Sequence, residues 1–226
     1  GTCGLSPTSA YCSVWSSGQL VGQKVVPVKG NQEKKRHIDD ITAKAKLQSI
    51  NLSALMITFP STHGVIETTV REVCSLIHEY GGMVYIDGAN FNAMVGLCYP
   101  GEFGGDVFHL NLHKTFGIPH GGGGPGIGPI GGVKKLEKCL PGTHNQSGST
   151  LGPVSATDWG SASLLPISWM YIKMMGSEGL KSSTEMAILK TNYIASRLQG
   201  HYKVLYKGKT GLVAHECIID VRPLKE

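Results

Sequence analysis

Met83-Val84-Tyr85-Ile86-Asp87-Gly88-Ala89-Asn90 is a short apolar run that ends on a carboxylate. Lys114 follows 27 positions after Asp87, inside His109-Leu110-Asn111-Leu112-His113-Lys114-Thr115. Residues 83–86 and 107–112 predict strands buried on both faces, the first running into Asp87 and the second into His113-Lys114. Alone, a lysine after a strand is usually a surface residue, and an aspartate there is often a helix cap. As a pair at the carboxyl ends of parallel strands they lie where α/β sheets bind their ligands.

The surrounding chain fits such a sheet. Residues 24–28 predict a strand. Residues 38–49 predict an amphipathic helix with Asp39 and Asp40 in its first turn, favoured there by the helix dipole. The apolar run 52–59, stopped by Pro60, predicts another buried strand. Residues 67–80 have a helical period, with Val70, Val73, Cys74 and Ile77 on one face, and Gly81-Gly82 end it. A further strand is expected within 126–131. Strands alternating with helices imply parallel βαβ units with helices on both faces. Residues 167–175 and 178–198 read as helices parted by Gly176, and residues 202–206 and 218–221 as short strands. A shift in composition near residue 195 predicts a division into residues 1–195 and the beginning of a smaller α+β domain, residues 196–226.

Composition sets wider limits. The 226 residues are 41% hydrophobic and 16% charged, the balance of a folded globular protein. The net charge is +5, but its compact part is Lys34-Lys35-Arg36-His37, a solvated turn before a helix. Nucleic-acid binding calls for a longer basic stripe with interleaved aromatics, which is absent. Six cysteines form no CxxC pair and sit in apolar surroundings, predicting buried free thiols in a reducing compartment. No stretch approaches the about 18 apolar residues of a membrane helix.

The Asp–Lys pair matches the needs of pyridoxal phosphate. A lysine forms the Schiff base with its aldehyde, and a carboxylate keeps the ring nitrogen protonated by raising its pKa. The tract His120-Gly121-Gly122-Gly123-Gly124-Pro125-Gly126-Ile127-Gly128-Pro129 follows directly. It holds no GxxxxGK[ST], and its prolines break a dinucleotide-binding reading. It predicts a shaped turn whose backbone passes close to a cofactor or partner.

The run from Asp106 to Gly131 closely resembles the glycine decarboxylase P-proteins of the glycine cleavage system. Pro60-Ser61-Thr62-His63-Gly64-Val65, Trp159-Gly160-Ser161 and Leu165-Pro166-Ile167-Ser168-Trp169 extend the resemblance over most of the chain. It implies a fold-type-I pyridoxal-phosphate large domain, aspartate-aminotransferase-like, with a mostly parallel sheet. It further implies that Lys114 carries the cofactor, Asp87 partners its ring nitrogen and Ala89 packs on the ring. Asn90 would reach the ring hydroxyl and His113 the phosphate, with Thr62, His63 and His120 along the same edge. The implied activity is decarboxylation of glycine with transfer of the aminomethyl group to the lipoyl arm of H-protein, in a homodimer or larger P-protein oligomer. The implied compartment is the mitochondrial matrix in a eukaryote and the cytoplasm in a bacterium.

Two stretches depart from the family pattern. Cys3-Gly4-Leu5-Ser6 reads as an insertion between Gly1-Thr2 and Pro7-Thr8-Ser9-Ala10, and Gly131-Gly132 carries an extra glycine. Family chains are several times longer, so the expectation is a fragment that does not decarboxylate glycine alone. A catalytically silent relative kept for subunit contacts is the rival reading. A metal site formed by His109, His113 and His120 is a third, opposed by the break at Pro119.

Overall fold

The computed structural model describes residues 1–10, 12–29, 34–122, 124–143 and 151–225. Its strands are β1 (Cys3–Pro7), β2 (Lys24–Val28), β3 (Leu52–Thr58), β4 (Met83–Asp87), β5 (Val107–His109) and β6 (Ile130–Gly132), in the sheet order β2-β1-β3-β4-β5-β6. Neighbours are parallel except β6, which runs antiparallel to β5. The α-helices are α1 (Cys12–Leu20), α2 (Lys34–Gln48), α3 (Val70–Glu79), α4 (Leu112–Thr115) and α5 (Leu165–Leu198).

The apolar runs explain the layering. Leu5, Leu55, Val84 and Ile86 point to one face of the sheet and are fully buried against Ile41 and Ala45 of α2 and Val73 and Ile77 of α3. Each such side chain contributes about 1.5–3 kcal/mol by leaving water. Strand alternation sends Met56, Thr58, Tyr85, Asp87 and His109 to the other face, where all are half-buried. There α1 packs on β1 and β2. Burial and the Asp87 charge push the Tyr85 hydroxyl up to about 12, so it stays protonated.

Several expectations are corrected. The stretch from Cys3 to Ser6 is not an inserted loop but most of β1, paired on both sides and buried. The strand expected over 107–112 stops at His109, because Leu112 turns away to join Phe116, Ile118 and Ile127 in a separate apolar cluster. His113 and Lys114 therefore lie on the single turn α4, not at a strand end. The next strand is shorter and later than expected, Ile130–Gly132. Helix α2 starts at Lys34, so its backbone takes in the basic run. Asp39 and Asp40 fall in its second turn, where Asp40 Oδ2 accepts from Lys44 Nζ at 2.6 Å and from Lys29 N–H at 2.8 Å. Of the strands expected over 202–206 and 218–221, one antiparallel bridge forms, Val204 with Ile219. Cys3 and Cys74 are buried free thiols, whereas Cys139 is exposed.

Helix α5 behaves as its glycine demands. Gly176 takes φ 62° and ψ −178°, a conformation that side-chain-bearing residues avoid, and it divides the helical run. On the N-terminal part Ser168 Oγ donates to the Phe116 carbonyl at 2.8 Å, and Tyr171 joins the α4 cluster. On the C-terminal part Asn192 exchanges hydrogen bonds with the Val213 backbone, donating at 2.8 Å and accepting at 3.0 Å. The first contact fixes α4. The second fixes the segment that covers the turn at residues 60–65.

Candidate active site

Asp87 is the last residue of β4, in register with Thr58 of β3 and His109 of β5. Its Oδ1 accepts from the Ala89 N–H at 3.0 Å, and Oδ2 has no partner among the described residues. The turn that follows is tight: Gly88 N–H donates to the His109 carbonyl at 2.9 Å, and a Cβ on Gly88 would run into the Phe108 ring. Ala89 then accepts from the Asn111 N–H at 3.2 Å, and Asn90 Oδ1 accepts from the Asn92 N–H at 3.2 Å.

The same loop is tied to the lysine. Thr115 Oγ1 accepts from the Phe91 N–H at 3.1 Å, and Asn92 Nδ2 donates to the Lys114 carbonyl at 3.4 Å. Asp87, Ala89, Asn90, His113 and Lys114 are thus gathered on two bonded loops at the carboxyl edge of the sheet. Lys114 is exposed and makes no ion pair among the described residues.

The glycine tract shapes this edge. Leu110 and Leu112 N–H donate to the Pro129 and Ile127 carbonyls at 3.2 and 2.9 Å. Between them the tract lies against two imidazoles. A Cβ on Gly126 would sit 3.0 Å from His113 Nδ1, and one on Gly128 only 2.5 Å from His109 Cε1. The His113 and His120 ring centroids are 4.6 Å apart. Burial, together with the charges of His120, Lys114 and His109, holds the His113 ring below the ordinary histidine range. His109 turns instead to Asn111, with Nε2 at 3.1 Å from Nδ2. The three histidines do not converge, and among the described residues no group of three such side chains could hold a metal ion.

Thr62 and His63 lie farther along the edge. Thr62 Oγ1 donates to the Ser9 carbonyl at 3.0 Å, joining the loop after β1 to the one after β3. His63 stacks on Tyr206, with centroids 4.0 Å apart. Both line a pocket with Ser9, Thr58 and Glu67 that does not include Asp87 or Lys114.

Residues 22–144, more than half of the chain, match the family model described as glycine cleavage system P-protein. The chain belongs to that family. Residues 183–226 of this P-protein family member match a second model, glycine dehydrogenase, C-terminal domain. The chain is 60% identical over 220 residues to the glycine dehydrogenase (decarboxylating) of Rhizobium johnstonii, covering 97% of this chain and 23% of that one. The corresponding protein of Thermosynechococcus vestitus is 58% identical over 223 residues, with 98% and 23% covered. The chain therefore spans about a quarter of the length of these curated relatives.

Among solved structures, a sphingosine-1-phosphate lyase of Burkholderia pseudomallei superposes with a TM-score of 0.69 at 17% identity, covering 95% of this chain and 50% of that one. An Oryza sativa structure described as TDC with PLP and tryptamine gives 0.64 at 13%, covering 92% and 44%. These likenesses carry the fold, the α/β large domain of fold-type-I pyridoxal-phosphate enzymes with its mostly parallel sheet.

The residues present fit that cofactor. A carboxylate with one unpartnered oxygen, an exposed lysine and a neighbouring imidazole whose Nδ1 is buried without a partner lie on one edge. Sequence reading did not single out Asn92 and Asn111, whose contacts bind the two loops. Thr58 lies inside the apolar run 52–59, and only the register of β3 with β4 sets it beside Asp87.

Proposed function

We propose that this chain carries the pyridoxal-phosphate site of a glycine-decarboxylating P-protein, which passes the aminomethyl group of glycine to the lipoyl arm of H-protein. The observation that carries the proposal is the bonded pair of loops that sets Asp87 and Lys114 on one sheet edge. Bound there, pyridoxal phosphate supplies a conjugated ring that accepts the electron pair left when carbon dioxide departs. Lys114 would hold the aldehyde carbon through Nζ. Asp87 would hold a proton on the ring nitrogen, because a fixed negative charge raises the pKa of an adjacent base. Ala89 would pack on the ring, Asn90 would reach its hydroxyl, His113 would contribute on the phosphate side, and Thr62 would touch substrate or cofactor farther along the same edge.

The relatives' name, glycine dehydrogenase (decarboxylating), supports glycine as substrate. The match to a separate C-terminal model from residue 183 supports a division of the chain, which in this reading separates a cofactor-binding unit, 1–195, from the beginning of a smaller one, 196–226. Exposed Trp169, Met174, Leu189 and Tyr193 on α5 support an oligomer or further covering structure. No helix among the described residues is long and apolar enough to cross a membrane. In this reading the site of action is the cytoplasm of a bacterium or the mitochondrial matrix of a eukaryote.

The test is exchange of labelled bicarbonate into glycine by a full-length P-protein that carries this sequence, with H-protein and pyridoxal phosphate supplied. Exchange that depends on both supports the activity. No exchange in a preparation that binds the cofactor contradicts it.

A further inference from the structure

Register puts Thr58, Asp87 and His109 side by side on three adjacent strands, and alternation sends all three side chains to the same face. The flanking pair has an unusual property. Thr58 Oγ1 and His109 Nδ1 are both buried without a hydrogen-bond partner among the described residues. An unpartnered buried polar atom costs about 1–3 kcal/mol, so two beside one carboxylate call for an explanation.

The protonation of His109 follows from its neighbour. Asn111 presents its amide nitrogen to Nε2 at 3.1 Å, and an amide nitrogen only donates. Nε2 therefore accepts, and in the neutral ring the proton sits on Nδ1. The orphaned atom is an N–H donor on the ring edge that lies against Gly128, so a turn of the ring about χ2 is needed to offer it to Asp87. Thr58 also brings a donor, its hydroxyl, and neighbouring strands are about 4.8 Å apart, so a rotation about χ1 carries Oγ1 toward Asp87. Asp87 has an oxygen to receive a donor, because the Ala89 N–H occupies only Oδ1.

We propose that Thr58 and His109 are positioning residues that bracket Asp87 and donate to its carboxylate when the cofactor is bound. This rests on the functional reading of Asp87 above. Three donors, Ala89 N–H, Thr58 Oγ–H and His109 Nδ1–H, then hold the side chain in its ionised form and aim it at the ring nitrogen. Neither flanking residue touches the reacting bond.

The experiment uses the native protein loaded with pyridoxal phosphate labelled at the ring nitrogen. In T58V the cofactor is expected to bind about tenfold more weakly, the loss expected of one hydrogen bond to a charged group. Its nitrogen resonance should move toward the unprotonated position. T58S, which keeps the hydroxyl, should match the unmodified protein in both readings. H109F and H109Q repeat the comparison on the other flank, with loss for Phe and retention for Gln, should T58V not fold. Unmodified affinity and resonance in T58V and H109F overturn the proposal, as does equal loss in T58V and T58S, which would mark a packing effect. Absence of a Lys114 imine in the unmodified protein overturns the functional reading itself, and the bracket with it.

Discussion

The Lys114 carbonyl accepts a hydrogen bond from the Asn92 side-chain amide at 3.4 Å, across the gap between the loop after β4 and helix α4. That contact joins the stretch that carries Asp87, Ala89 and Asn90 to the stretch that carries His113 and Lys114. Ser168 of α5 bonds the Phe116 carbonyl just past the end of α4, so the turn that carries the lysine is tied to two other elements.

Replacing Asp87 by Asn should separate binding from chemistry. The amide is nearly isosteric but has no charge to keep the ring nitrogen protonated. An adjacent opposite charge is worth about 1–3 pKa units, so glycine decarboxylation should fall roughly 10- to 1000-fold. Imine formation with Lys114, followed by absorbance, should be nearly unchanged. Unchanged turnover would remove Asp87 from its role.

The glycine tract should tolerate substitution unevenly. Gly128→Ala places a Cβ 2.5 Å from His109 Cε1 and 3.0 Å from Asn111 Nδ2, and overpacking of this kind costs about 1–3 kcal/mol. Gly131→Ala meets nothing within 4 Å and should stay within about 0.5 kcal/mol of the parent. Urea unfolding of the two variants checks the contrast.

Asp106 predicts the acid limit of the fold. It is buried, yet bonds from Lys135 at 2.9 Å, the Val84 N–H at 2.8 Å and His78 at 2.7 Å reach its carboxylate. Burial raises its pKa, and these bonds together outweigh burial and hold it below the ordinary carboxylate value. A depressed folded-state pKa adds stability that is complete above the unfolded value, about 4, and is lost as pH falls through the folded value. Asp106→Asn should lower stability by about 1–3 kcal/mol at neutral pH and flatten its dependence below pH about 4. Denaturant midpoints across that range would show it.

The elements legible in the sequence are those whose burial dictates composition. The runs of β3 and β4 face helices on one side and a half-covered surface on the other, and so read as apolar throughout. Strand β1 was hidden because Gly4, Ser6 and Pro7 are poor strand formers, and only its pairing on both sides reveals it. The alternation of Leu110 and Leu112 imitates a strand, whereas Leu112 belongs to a local cluster with Phe116. Within the site, Asp87 and Lys114 stood out by residue type and position. Thr58 and His109 beside Asp87 depend on strand register, which no local pattern encodes.

Everything proposed for this sheet edge depends on Lys114 being the lysine that holds the cofactor. The measurement is borohydride reduction of the native protein with pyridoxal phosphate, followed by peptide mapping. The reduced pyridoxyl tag is expected on Lys114. A tag on another lysine, with Lys114 unmodified, would contradict that assignment.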